Sequence, residues 1–409
     1  MADAAPRQTQ RFERKREAIL HAAARLFNEK GLKGATLAEV AASVGLITTS
    51  VTYYFKKKDA LAAACIGRTL DTLSAIADEA AAQPQAEARL KRFLELYLDQ
   101  LARITRGEEP ELINFHDLLA LTGPQADEAQ AGFTALFRKL RRIFFETGEI
   151  ELSRPAANAR AHLVLSVMLW SRTWVRSQYE PEDYARAAER IGAILTGGLA
   201  GEDAGWAPAA LAAERLAPPA PADRARENFL KAATHLVNEQ GYHGASVDRI
   251  SAHLSLTKGS FYHHNDTKDG LVEACFERSF EIMRQFQIEA RAHSARGWDQ
   301  ICSASAALVV HQLSDHGPLL RYTALSAVPA EMRRDLMATM RRLSERFAGM
   351  IADGIADGSI RPVDPVIAAQ LVIGMINAAS QLHRWGPGVT AQNAGEFYVR
   401  PLFTGVFNP

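Results

Sequence analysis

Apolar residues recur along this chain at three- and four-residue steps, and the pattern occurs twice. Ile19, Leu20, Ala23, Leu26 and Phe27 fall at i, i+1, i+4, i+7 and i+8, which gathers them on one face of a helix. Phe229, Leu230, Ala233, Leu236 and Val237 restate that spacing 210 positions later. Gly31 and Gly241 follow, each able to end a helix by taking left-handed angles. A second, short helix opens at Thr36 or Ser246. Thr36 with Glu39 makes a capping box, whereas Ser246 is followed by Arg249 and keeps only the cap. That helix ends near Ser43 or His253, a tight turn follows (Val44-Gly45-Leu46 in the first copy), and a third helix begins near Thr48 or Thr257. Short helix, turn, short helix is the helix-turn-helix pattern. No stretch alternates with period two, so the expected fold is all-α.

The repetition extends beyond this block. "TTSVTYYFKKKDALAAACI" from Thr48 is matched by "TKGSFYHHNDTKDGLVEACF" from Thr257. "TGEIELSRP" ending at Pro155 and "DGSIRPVDP" ending at Pro365 keep the same offset, and each is followed by an apolar segment that carries tryptophan. A period near 200 is too long for a solenoid, so each copy is a domain-sized unit. The expected division is a helix-turn-helix domain over 1–60, a helical domain over 61–200, an Ala/Pro-rich linker over 201–224, a second helix-turn-helix domain over 225–270 and a second helical domain over 271–409. The end of the linker, "APPAPA", favours extended polyproline geometry, and a short helix around Ala209 to Leu216 fits its first part.

The third helix of each copy carries groups that suit DNA. The second helix of such a pair fits the major groove. The first copy offers Thr48, Thr49, Ser50, Thr52, Tyr53 and Tyr54, then Lys56, Lys57 and Lys58. The second offers Thr257, Lys258, Gly259, Ser260, Tyr262, His263 and His264, then Lys268. Hydroxyls and lysine early on the helix can reach base edges. Tyrosine, histidine and the later lysines suit phosphate oxygens, which fix position without reading sequence. Val51 and Phe261 should point inward. The aromatic and histidine positions equally fit half-buried packing residues.

Charge sharpens this picture only locally. The chain holds 47 basic and 47 acidic residues. Residues 1–60 hold eleven lysines and arginines against six acids, while residues 224–270 are nearly balanced and carry five histidines. The two copies therefore differ in electrostatics. Three cysteines without a CxxC argue against a disulfide framework or a zinc finger, and Cys65 and Cys275 read as buried thiols in equivalent helices. No metal-ligand spacing, HExxH, GxSxG, Walker A or Rossmann glycine pattern occurs, so neither catalysis nor a cofactor is expected. No apolar run reaches the ~18–20 residues of a membrane helix. The charged N-terminus lacks an apolar core, and the cytoplasm is the expected location.

The two N-terminal blocks, "HAAARLFNEKGLKGATLAEVAASVGL...YYFKKKDAL" and "KAATHLVNEQGYHGASVDRISAHLSLTKGSFYHHNDTKDGL", resemble the tetracycline-repressor-like (TetR/AcrR) family of bacterial transcription regulators. The resemblance implies two tandem units. Each would be a three-helix bundle with a helix-turn-helix, followed by a larger helical domain that binds a small molecule and dimerises. It also implies phosphate contacts at Tyr262, His264, Lys268 and Lys58, a near-base position at Tyr53 and His263, and phosphate-touching hydroxyls at Thr36 and Ser246. The first copy departs from the family at Ile47, Thr49 and Thr52, the second at Ser255, Asn265 and Asp266.

The expected function is a DNA-binding regulator, a ligand-responsive repressor whose two unlike heads read an asymmetric or imperfectly palindromic site on double-stranded DNA. The alternative is a ligand-binding or scaffold protein with a degenerate head. An unidentified small-molecule effector would meet Phe115, His116, Phe137, Trp170 and Trp174 in the first copy and His311, Tyr322, Met340, Asn377 and His383 in the second. Such stripes at helical spacing also fit plain core. The last two helices of each half, about 156–178 with 181–199 and 365–385 with 390–407, are the candidate faces for pairing the halves within one chain. A homodimer of chains is the rival arrangement, and no membrane partner is expected.

Overall fold

A computed structural model describes residues 4–115, 121, 123–211, 221–245 and 267–409 of the chain. The described residues contain no strand; the one extended pairing is an isolated antiparallel bridge between Ala200 and Ile360. The helices of the first half are α1 (Ala4–Gly34), α2 (Leu37–Ser43), α3 (Thr48–Tyr54), α4 (Lys58–Ala81), α5 (Ala86–Thr105), α6 (Pro124–Phe145), α7 (Arg154–Gln178) and α8 (Tyr184–Gly197). Those of the second are α9 (Pro221–Gly244), α10 (Lys268–His293), α11 (Gly297–Leu313), α12 (Ala330–Ala356), α13 (Pro365–Ala379), α14 (Leu382–Trp385) and α15 (Arg400–Thr404).

The repeated spacing buries the faces it marks. Ile19, Leu20, Ala23 and Phe27 on α1 lie in the core with Val40, Val51 and Phe55, and Phe229, Leu230, Ala233 and Val237 are buried on α9. Gly31 and Gly241 interrupt α1 and α9 with φ of 72° and 70°, angles that a side chain would strain. Thr36 and Glu39 make the capping box that starts α2. α4 packs on α1, α5 and α6. Its length and mean hydropathy would also suit a membrane span, although no uncharged run of that length occurs; here Leu61, Cys65, Leu73 and Ala77 face the core.

The prolines at 155 and 365 each sit in the first turn of a helix. Ser153 caps α7 by accepting from Ala156 N–H, and Asp364 caps α13 by accepting from the N–H groups of Val366 and Ile367. α7 and α13 are buried on most sides, and they pack on each other across the two halves. Gly374 makes the approach possible: a Cβ there would lie 2.8 Å from Trp170 Cδ1. Around this pair, Arg160 donates to Val406 O (2.9 Å), His162 Nε2 meets Ala378 O (3.0 Å), Val406 N–H donates to Leu195 O (2.8 Å) and Arg361 Nε donates to Gly198 O (2.8 Å). α8 packs on both α13 and α15.

The last helix of the second half is shorter than its spacing suggests. α13 stops at Ala379, and α14 carries Trp385 toward the first half. The expected helix over 390–407 is a π turn, Gly395–Val399, followed by the short α15. Pro401 has no N–H to bond four residues back, so the regular ladder cannot run through it. The linker also differs from a free tether. Residues 201–211 lie along the second half, with Gly201 N–H on Ser359 O (3.0 Å), Trp298 Nε1 on Gly205 O (2.8 Å), Trp206 Nε1 on Glu396 Oε1 (2.9 Å) and Ala209 N–H on Ser303 Oγ (2.9 Å). Residues 209–211 are not helical; the rest of the expected short helix lies outside the described residues.

Candidate nucleic-acid interface and ligand cavities

In the first head the inward residue of α3 is Val51, which is fully buried, and the rest of the helix points away from it. Thr48 and Thr49 are exposed, Ser50 and Thr52 half-buried, and Tyr53 is 75% exposed. Tyr54 is half-buried against Phe12 of α1, at 4.7 Å between ring centres, and Tyr53 stands edge-on to it at 5.3 Å. Thr52 Oγ1 donates to Thr49 O (3.0 Å), which turns that hydroxyl toward its own helix. Lys56 and Lys57 are exposed beside the helix. Lys58 Nζ donates to Lys33 O (3.3 Å) and Ala35 O (3.1 Å), so this lysine closes the end of α1. Thr36 accepts from Glu39 N–H, and its hydroxyl donates to Glu39 Oε2 (2.8 Å). Hydrogen bonds from Lys30 and then Thr36 lower the Glu39 carboxyl to about 2.

Ser246, Thr257, Lys258, Gly259, Ser260, Tyr262, His263 and His264 lie outside the described residues, as does His116. Lys268 opens α10, and its ammonium sits 4.3 Å from the centre of the Tyr242 ring. Burial lowers its pKa. Asp269 accepts from the Tyr242 hydroxyl.

The residues expected to meet a ligand do not form one group. Phe115, Trp170 and Asn377 line a chamber of about 100 Å³ between the halves. Tyr322, Met340 and Asn377 line a pocket of about 30 Å³ inside the second half, with Phe276, Phe280 and Met283. Trp170 and Tyr322 meet edge to face, 4.7 Å between ring centres, which brings the two sets together. Phe137 is buried against Trp385 at 5.1 Å. Trp174 is buried beside Tyr179, and His311 is buried on α11 beside Phe286. Burial holds His311 down to about 3, and so neutral at pH 7. His383 is exposed, with Nδ1 on Ser380 O, and lines a polar cleft of about 760 Å³ with Lys231, Arg321 and Arg384.

Two stretches of the chain, 19–65 and 229–275, match the family model described as "Bacterial regulatory proteins, tetR family", and 294–401 matches "Tetracyclin repressor-like, C-terminal domain". The chain belongs to the TetR family. It carries the family's N-terminal region twice, and it is a DNA-binding transcription regulator. Among curated relatives, the transposon Tn10 TetC protein of Escherichia coli is 35% identical over 83 residues, 19% of this chain and 42% of that protein, so the match spans less than half the relative's length. The transcriptional repressor KstR2 of Rhodococcus jostii is 25% identical over 207 residues, 45% of this chain and 92% of the relative. The solved TetR-family regulator PfmR of Thermus thermophilus superposes with a TM-score of 0.38 at 20% identity, over 43% of this chain and 97% of that one.

Two sets of residues that join each TetR-type head to its body were not singled out from sequence. Asn28 Nδ2 donates to Leu112 O (2.8 Å) while its Oδ1 accepts from Asn114 N–H (2.7 Å). Asn238 does the same to Leu319 O and Arg321 N–H, both at 2.9 Å. Arg68 and Arg278 reach from α4 and α10 to Glu17 and Glu227 and to carbonyls of the same loops. All three residue types recur at the 210-residue offset, which was the available signal. In the first half an ion cluster is added: Glu111 pairs with Arg172 and Arg176 of α7, and its N–H donates to His21 Nδ1 of α1 (2.8 Å). At the second half's matching loop Pro318 stands in place of Glu111, so the Asn and Arg ties shared by both heads are supplemented by a carboxylate at this position only in the first.

Proposed function

We infer that this regulator is a ligand-responsive repressor in which the two heads of one chain read two unlike half-sites. The observation that carries this reading is the pairing of α7 with α13, which gives each half a partner inside its own chain. In an ordinary two-fold dimer, protein symmetry is mirrored in a palindromic operator. Here the first head offers Thr48, Thr49, Ser50 and Tyr53 toward base edges, with Thr36, Lys56, Lys57 and Lys58 toward phosphates. The second head offers lysine, glycine and histidine at the corresponding places, so its half-site differs. The covalent tie holds the halves at millimolar effective concentration, on the order of what short linkers give. An effector acts by favouring a head spacing that does not fit the ~34 Å repeat of one DNA turn.

Selection of bound sequences from a random DNA pool tests the reading, together with light scattering of the free and bound chain. The expected result is one chain per site and two half-sites of different sequence. A perfect palindrome occupied by two chains would overturn it.

A further inference from the structure

The chamber and the polar cleft have a common boundary. Arg321, Gln381 and Arg384 line both. On one side, Phe115, Phe133, Leu165, Leu169, Trp170 and Trp385 enclose the small chamber, with Phe115 and Phe133 5.0 Å apart and Phe133 and Trp385 4.9 Å apart. On the other side the cleft is larger and carries Lys231, His235 and His383 as well as the carboxylates of Glu239 and Asp315. His235 is paired with Glu239 (3.2 Å). Of these three shared residues two are arginines and none is an acid. Arg384 donates to a neutral partner, Gln130 Oε1 (2.7 Å), so its charge is not cancelled there.

An apolar chamber opening onto a few polar groups is the usual form of a small-molecule site. The arrangement is also made once. The positions matched to Trp170 and Trp385 by the 210-residue offset are Ser380 and Val175, so the aromatic box has no second copy. We propose that the boundary between the halves is a single binding site per chain for an amphipathic anion, a short apolar group in the chamber and an anionic head against Arg321 and Arg384. The site stands on the cavities alone; its regulatory meaning rests on the ligand-responsive reading above. That meaning follows from the loops that build it. Asn28 fixes the loop that leads to Phe115, and Asn238 holds Arg321 N–H, so one ligand borders the loops attached to both heads.

Isothermal titration of the full chain without DNA tests the site, using hexyl phosphate, 1-hexanol and hexyltrimethylammonium as probes. Hexyl phosphate should saturate at one per chain and bind at least about tenfold more tightly than the ammonium probe. Arg384→Gln should weaken hexyl phosphate by about tenfold and leave 1-hexanol unchanged. Leu169→Trp should abolish binding of both, and Ser166→Leu, a smaller filling of the same chamber, serves if the tryptophan variant does not fold. Absence of saturation, two sites per chain, equal affinity for the two charged probes, or indifference to Arg384→Gln would each overturn the proposal. A gel shift with the wild-type chain is read separately: DNA retained without hexyl phosphate binding removes only this site.

Discussion

Asn28→Ala removes the donor that Leu112 O uses and the acceptor that Asn114 N–H uses. Each bond contributes about 1 kcal/mol net. Asn28 is half-buried, so water replaces part of what is lost, and Leu112 O still accepts from Arg172. The free energy of opening the loop therefore falls by about 2 kcal/mol, which is about thirtyfold in an equilibrium constant. Hydrogen-exchange mass spectrometry reads that factor when local opening is fast and reversible. The amides of Ile113 and Asn114 should exchange about thirtyfold faster, while those of α5 and α7 keep their rates. An acceleration below about threefold, or one spread evenly over the first half, would refute the assignment of Asn28 as the local tie.

Lys57→Ala removes an exposed charge beside α3 that closes no helix end, so it should weaken all DNA alike and reduce the salt slope by about one; fluorescence anisotropy at several salt concentrations checks this. Tyr53→Ala should change the preferred sequence of one half-site only, and uniform weakening across a DNA library would make Tyr53 a packing or phosphate residue. His162 is buried at the junction of the halves, and burial depresses its pKa from 6.5 to about 4. The unfolded chain then binds the proton more readily, so stability is complete above pH 6.5 and declines as pH falls toward 4. Thermal melts over that range should show a shallower decline for His162→Gln. Cys65 is buried with its thiol raised to about 12, so its alkylation should follow opening of the core and be slow in the folded protein.

Periodicity alone located α1, α2, α3 and α9, because a helix with one buried face writes that face into its sequence. The 210-residue offset exposed the duplication, and the prolines at 155 and 365 marked the starts of α7 and α13. The limits have physical causes. α15 departs from a longer regular helix where Pro401 removes a backbone donor, and the π turn before it leaves no periodic mark. Spacing shows which residues face inward, but not which cavity they share. Trp170 and Tyr322 are 152 residues apart and belong to different halves, yet their rings touch. Asn28 and Asn238 looked like ordinary polar positions because their partners are backbone groups, which no side-chain pattern records.

The burial of α7 has a consequence for how the protein is made. Its cover, α13, lies in the half that leaves the ribosome second. At about 5–20 residues per second, the first half waits on the order of ten to forty seconds with this face open to water. During that interval neighbouring chains on the same messenger compete for it. Peptide continuity favours the sister segment, and the pinned residues 201–211 then direct the newcomer to its place.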